Sequence, residues 1–373
     1  MKIGINFHTC DEYISGVDYY SLGLINGLLS IDKENEYVVY TNSPQLLKQA
    51  QDIYNNLTVR GIGNLRTRAK RIVWEHLYLP TMAKRDGLDI LHCTHYITPI
   101  VKIGIPYVVT VHDTFAMDHP QWCKLSNMLN YRLFMPRTSF NADAIIVLSQ
   151  QTSKEVLKYK VRSTPIVIYP GIEESFTHEQ NTDRCKEVRT KYNLPDRYLL
   201  YVGNIEPKKN LLSLLQAYQL LTLKNFDCKL VLVGKRTWRQ ENVWSYMQEN
   251  VAKDNITLTG YVDRQHLPSI YQQAEALVFP SLSEGFGFPI LEAMRCGTSV
   301  VASSVGILKE ISLEAYCRIN PKNVTDISEK ILSVIGSDSQ KKNQINFALK
   351  ESRRFCWQNC ARKTLDIYRQ LVA

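Results

Sequence analysis

The chain has 373 residues, 45% of them hydrophobic and 22% charged, which are globular proportions that exclude a disordered or collagen-like polymer. At roughly 100 to 200 residues per domain this length predicts two domains or one large one. The net charge of +9 is spread over both halves, which fits an anionic small ligand or membrane surface better than duplex nucleic acid, whose partners carry a denser basic stripe.

Strand-like and helix-like runs alternate from the first residue, the pattern of parallel sheets covered by helices. Lys2 to Phe7 reads as a buried strand, followed by a polar turn containing Gly16, a helix from about Val17 to Leu29, and a strand from Tyr37 to Thr41. Further strands are expected at Ile90–His92, Tyr107–Val111, Ala144–Leu148 and Pro165–Tyr169, which completes one α/β domain over 1–170. The stretch 171–195 is polar, with no apolar period, and reads as a linker. The pattern restarts over 196–355 with strands at Tyr198–Gly203, Lys229–Gly234, Ile256–Leu258, Ala276–Pro280 and Ser299–Ala302. Two such domains predict a cleft between the carboxyl ends of their sheets, where ligands of open α/β sheets bind.

No run of about 18 or more apolar residues is present to span a bilayer. The start, Met1 to Phe7, is too short and too soon polar for a signal peptide, so a cytoplasmic protein is expected. The nine Cys are scattered and odd in number, which argues against a disulfide scaffold and for small core residues. Cys356 and Cys360 share one face of a predicted helix, but no second Cys or His pair completes a zinc site, and no metal is expected.

The strongest local signal is the segment from Pro280 to Met294. A strand ends at Pro280, the loop carries Gly285 and Gly287, and Pro289 sits where the first turn of a helix tolerates proline. Backbone N–H groups of such a loop and helix start form an anion site. Seven residues separate Glu284 from Glu292, one in the loop and one about a turn into the helix. Carboxylates accept from hydroxyl groups, so the pair suits a polyol ligand; a helix cap plus a surface glutamate is the plainer alternative.

This segment resembles the E-x7-E element of the retaining glycosyltransferases of family GT4, group 1, which have the GT-B fold. The strand-loop-helix from Tyr201 to Asn210, the pair Gly234-Lys235 and the stretch Gly260-Tyr261-Val262 are similar to that family in order and spacing, and Phe355 to Arg362 looks like its final helix. The resemblance implies two Rossmann-like domains facing across a cleft, with 356–373 crossing back to the first. It further implies that Glu292 binds the ribose hydroxyls and Glu284 those of the transferred sugar. By the same resemblance Lys209 neutralises the donor diphosphate, the Gly285-Phe286-Gly287-Phe288 backbone lines sugar and phosphate, and the backbone at Val262 meets the base. Many members carry Arg where this chain has Asn204, so the cationic work falls to Lys208, Lys209 or Lys235.

In the first domain, Val111-His112-Asp113 ends a predicted strand, a functional position in open α/β sheets. The resemblance places His112 near the donor sugar and Gly16 in a first loop, where a backbone without Cβ can approach the diphosphate. No Asp-x-Asp occurs, which favours metal-independent transfer without a cofactor, and neither Gly-x-Gly-x-x-Gly after the first strand nor a P-loop is present.

From Arg60 to Arg85 the chain has seven basic residues against one acid, Glu75, interleaved with Trp74, Leu77, Tyr78 and Leu79. Such a segment can lie on an anionic membrane, or it can be a solvated basic face whose apolar side packs in the core. The expected activity is retaining transfer of a hexose, glucose from UDP-glucose in the first instance, to a hydroxyl of a glycan or lipid-linked glycan. A front-face route is implied in which the departing phosphate takes the acceptor proton, with His112, Lys209 and Glu284 as catalytic residues. The rivals are a GDP-mannose-dependent mannosyltransferase, a nucleotide-sugar epimerase of the same architecture, and a non-catalytic nucleotide-sugar-binding partner.

Overall fold

The computed structural model describes residues 1–8, 14–65, 67–123, 125–236, 241–250 and 253–373. The chain forms two compact units, one of residues 1–173 with 355–373 and one of residues 174–354.

The first unit is built on a seven-stranded parallel sheet: β1 (Lys2–Asn6), β2 (Glu36–Thr41), β3 (Leu57–Gly61), β4 (Ile90–Cys93), β5 (Tyr107–Val111), β6 (Ala144–Val147) and β7 (Ile166–Val167), in the order β3-β2-β1-β4-β5-β6-β7. The second carries six parallel strands: β8 (Tyr198–Val202), β9 (Lys229–Val233), β10 (Ile256–Gly260), β11 (Ala276–Phe279), β12 (Val300–Ser303) and β13 (Cys317–Ile319), in the order β10-β9-β8-β11-β12-β13. The central strands are short apolar runs because a parallel sheet is covered on both faces; every residue of β5, β8 and β11 is buried. The chain has the two parallel α/β halves of the GT-B class.

Two edge strands, β3 and β13, lie where no strand is expected from the sequence. In β3 only Leu57 is fully buried and Arg60 is exposed, so the apolar run that marks a central strand is missing. The polar stretch read as a linker contains a helix, Thr182–Tyr192, whose Asn181 side chain accepts from the N–H of Arg184 at 3.0 Å. Its charged sequence hides an apolar stripe of two buried residues, Cys185 and Val188, and Arg189 reaches Gln273 Oε1 at 3.0 Å.

The last helix, Trp357–Val372, belongs to the first unit. It packs on the helix Gly16–Ile31 at two glycines: a Cβ on Gly23 would lie 2.2 Å from the Trp357 ring, and one on Gly27 would lie 2.9 Å from the Trp357 carbonyl. Its Tyr368 hydroxyl meets His92 Nδ1 at 2.6 Å, and His92 Nε2 meets Thr110 Oγ1 at 2.8 Å, which ties the helix to β4 and β5. Among the described residues no helix is long and apolar enough to cross a membrane.

Candidate functional site

In the second unit the loops that leave β8, β9 and β10 are locked side by side at the carboxyl ends of their strands. Gly203 N–H donates to Val233 O, Ile205 N–H to Lys235 O and Gly234 N–H to Gly260 O, each at 2.9 Å. Gly234 has φ +144°, and a Cβ there would lie 2.0 Å from Gly203 O, so only glycine lets these two backbones meet. After Gly203 and Asn204 comes a single turn, Pro207–Lys209, closed by Asn210 in the left-handed region, and then the helix Leu211–Thr222. Leu282 N–H donates to Lys208 O at 2.8 Å and Asn210 Nδ2 donates to Pro280 O at 3.2 Å, joining this turn to the loop after β11.

That joint brings Lys209 and Glu284 together. Lys209 Nζ donates to Glu284 Oε1 at 2.7 Å, with the side chains 12% and 8% exposed, and the ammonium lies 4.9 Å from the Phe279 ring centroid. Burial by itself would raise the Glu284 carboxyl; the charges of Lys209 and Lys208 outweigh it and hold the group below its ordinary value, so the carboxylate is ionised at neutral pH. Gly306, at φ +53°, backs the same loop: a Cβ there would lie 2.6 Å from Phe286 O. Gly287, at φ +105°, caps the helix Phe288–Arg295, with Pro289 in its first turn. Phe286 and Phe288 meet edge-on at 5.1 Å, and Gly285 and Phe286 are buried.

Glu292, on that helix, has its own partners. Arg264 Nη1 donates to Oε1 at 2.5 Å and the Tyr271 hydroxyl to Oε2 at 2.9 Å, while the Arg264 guanidinium stacks 4.6 Å from the Phe176 ring centroid. Neither Arg264 nor Tyr271 is among the residues picked out from the sequence; a cation shortly after Gly260-Tyr261-Val262, at the carboxyl end of β10, was the signal available. The two glutamates therefore serve different clusters, Glu284 with Lys209 and Glu292 with Arg264 and Tyr271. Lys235 Nζ lies 5.3 Å from the Tyr261 ring centroid, Val262 is buried, and Asn204 is exposed, its carbonyl accepting from the Tyr201 hydroxyl at 3.2 Å.

In the first unit His112 follows β5. Its Nε2 lies 2.8 Å from Thr94 O and its ring meets Tyr20 edge-on at 4.9 Å; burial lowers its pKa, so the imidazole is neutral. Gly16 is exposed and is the first residue of a helix rather than a loop glycine. The Ser15 and Asp18 side chains cap that helix start reciprocally. Among the described residues no group of three His, Cys, Asp or Glu could hold a metal ion.

Two family descriptions divide the chain as its two sheets do. "Glycosyl transferases group 1" matches residues 186–351 and "Glycosyltransferase Family 4" matches residues 14–176. The chain belongs to the family 4, group 1 glycosyltransferases. This glycosyltransferase is 28% identical over 369 residues to the O-antigen chain mannosyltransferase B of Escherichia coli, covering 96% of this chain and 97% of the relative. It is 30% identical over 290 residues to the serotype-specific mannosyltransferase WbdA of E. coli, covering 75% of this chain and 36% of that longer protein. Among solved structures, sucrose-phosphate synthase from Thermosynechococcus elongatus superimposes with a TM-score of 0.79 at 19% identity, covering 99% of this chain and 98% of the other, which is a likeness of fold.

Proposed function

We propose that this glycosyltransferase moves a hexose, with retention of configuration and without a metal ion, from a nucleotide diphosphate sugar to a hydroxyl of a glycan or lipid-linked glycan in polysaccharide assembly. The observation that carries this reading is the Lys209–Glu284 pair at the carboxyl ends of β8 and β11. One partner is a cation suited to a departing diphosphate, the other an ionised carboxylate suited to sugar hydroxyls. Lys208 and Lys235 add positive charge on the neighbouring loops, in place of the arginine missing at Asn204. The backbone from Gly285 to Phe288 and the helix start behind it suit the phosphate and sugar. Glu292 already accepts from Arg264 and Tyr271, yet a carboxylate has about four lone-pair directions, so it retains capacity for ribose hydroxyls.

In the reaction the bond from the anomeric carbon to the phosphate oxygen breaks and a bond to the acceptor oxygen forms on the same face. The acceptor proton passes to the departing phosphate. Lys209 supports the leaving group and Glu284 holds the sugar, while neutral His112 is carried over from the family resemblance as the third catalytic residue. The mannosyltransferase names of the relatives favour mannose over the glucose expected from the sequence, and we take GDP-mannose, the alternative donor expected from the sequence, in place of UDP-glucose.

Work on a lipid-linked acceptor at the inner face of a membrane is supported by a surface of the first unit. Within 60–85, Trp74 and Leu79 turn into the core, while Leu77 and Tyr78 are 64% and 60% exposed. An apolar groove of about 510 Å³ runs there past Leu77, Pro80, Val101 and Ile103, with Lys84 and Arg85 also lining it. The helix Leu125–Asn141, joined to this region by the His76–Phe134 ring contact, exposes Leu125, Leu129, Leu133 and Phe140 beside Arg132 and Arg137 and contains no acid. Cations among exposed apolar side chains suit an anionic lipid surface.

Calorimetric titration with GDP, UDP, GDP-mannose and UDP-glucose in EDTA tests the donor. Selective micromolar binding of GDP-mannose that Glu292→Ala weakens is expected; no binding of any of the four would reject the donor site.

A further inference from the structure

The first unit holds a second polar cluster that the donor chemistry does not use. The strand order β3-β2-β1-β4-β5-β6-β7 reverses direction between β1 and β4, and such a switch point opens a crevice at the carboxyl ends of the two strands. Asn6 and His8 stand at that end of β1, and Thr94 and His95 at that end of β4. Glu75 joins them from a single π turn, Trp74–Tyr78, a distortion that recurs at functional positions.

The geometry is tight and underused. His8 and His95 stack with ring centroids 4.4 Å apart and planes 15° apart. His8 Nε2 lies 3.4 Å from Glu75 Oε1, both side chains 3% exposed. Trp74 Nε1 donates to Asn6 Oδ1 at 3.2 Å, which fixes the amide so that Nδ2 points the other way. Three buried nitrogens of the cluster, Asn6 Nδ2, His8 Nδ1 and His95 Nδ1, have no hydrogen-bond partner among the described residues. Native proteins pair nearly all their buried polar groups, so three orphans at one switch point call for a ligand. His112 shares the setting through Thr94, whose carbonyl it contacts.

We infer that Asn6, His8 and His95 form the subsite for hydroxyl groups of the neutral acceptor sugar, with Glu75 as a positioning residue that acts through His8. This rests on the glycosyl-transfer reading, and it is independent of which nucleotide the donor carries. Burial pushes the Glu75 carboxyl up to about 8 and holds His8 down to about 3. Near pH 7 the pair is therefore a carboxylic acid and a neutral imidazole. The acid O–H faces His8 Nε2, which leaves the ring proton on Nδ1, aimed as a donor. A cluster that offers both donors and acceptors matches a hydroxyl, which both donates and accepts, with the Arg71 charge acting on it from nearby.

The test follows the histidine ring resonances of the full-length protein by NMR during titration with methyl α-D-mannopyranoside, methyl α-D-glucopyranoside and methyl N-acetyl-α-D-glucosaminide, with no donor present. At least one glycoside should shift the His8 and His95 signals saturably. Asn6→Ala and Glu75→Ala should each weaken its apparent affinity about tenfold, since each removes or misaligns a hydrogen bond in a buried site. Glu75→Gln, whose amide can donate to His8 Nε2 as the acid does, should restore it, whereas a merely structural Glu75 would give no such ligand-specific rescue. No shift with any of the three glycosides overturns the inference, as does a shift of the same signals by GDP or UDP alone. Failure of nucleotide binding, by contrast, would reject the donor reading and leave this titration unaffected.

Discussion

Replacing Lys209 with methionine keeps most of the side-chain volume and removes the charge that faces Glu284 at 2.7 Å. The carboxylate, 8% exposed, would be left with burial, which raises its pKa, and with the weaker help of Lys208. Breaking a buried pair from one side typically costs 3 to 5 kcal/mol, and Lys208 argues for the lower end, so a loss of about 3 kcal/mol is expected. For a unit of this size that is a fall of roughly 6 to 12 °C in its melting transition. The double variant Lys209→Met/Glu284→Gln should recover most of this loss, because a neutral amide needs no counter-charge. It should not recover turnover, which should stay about 10²-fold or more below wild type. The pH dependence reverses too. In the wild type Glu284 has a lowered pKa, so its contribution is present above the ordinary carboxyl value and is lost as pH falls; in Lys209→Met the raised pKa makes acidification from pH 7 towards 5 stabilising in comparison. Calorimetric melts with a transfer assay on the same samples decide the matter. Near-wild-type turnover in Lys209→Met, or a double variant no more stable than the single, would refute the reasoning.

The buried histidines predict a stability optimum near pH 6.5. Burial lowers the pKa of His8 and His92 to about 3 and also lowers His95 and His112, so below 6.5 the unfolded chain binds more protons and stability falls with pH. Between 6.5 and about 8 the buried Glu75 acts in the opposite sense, because its proton is held more tightly when folded; melts across pH 5 to 8.5 should show both arms, and Glu75→Gln should flatten the alkaline one. Leu129→Glu/Leu133→Glu should abolish sedimentation with phosphatidylglycerol vesicles while leaving nucleotide binding intact; equal sedimentation of wild type with neutral phosphatidylcholine vesicles would contradict the charge argument. Gly171→Ala would place a Cβ 2.2 Å from the Trp357 backbone nitrogen, an overpacking that should cost about 1 to 3 kcal/mol, and an unchanged melting temperature would count against the packing described for the last helix.

The central strands were legible because parallel strands covered on both faces must be nearly all apolar, as Tyr107–Val111 and Tyr198–Val202 are. Edge strands such as Cys317–Ile319, with Arg318 exposed, escape that rule. The helix Thr182–Tyr192 escapes it as well, since two buried residues in eleven leave no visible period. Glu284 and Glu292 could be singled out from the loop and helix start that carry them, and Lys209 from the family resemblance. Their pairing could not: Lys209 and Glu284 are 75 residues apart, and Arg264 reaches Glu292 across 28. Nor could the exposed stripe from Leu125 to Phe140, because leucines four apart read as a core face until a structure shows what covers them. The cluster of His8, Glu75 and His95 was hidden for a simpler reason, since three strangers in sequence meet only where the sheet reverses its order.

Residues 355–373 complete the first unit, yet they follow all of the second along the chain. During synthesis from the amino end, β1 to β7 emerge first and wait, with Gly23, Gly27 and the His92 side chain lacking the helix that covers them. The second unit, continuous from 174 to 354, can finish folding in the meantime. The half made first is thus the half sealed last, and a nascent chain that has emerged as far as Arg354 but not yet released its last helix has one finished half and one open one.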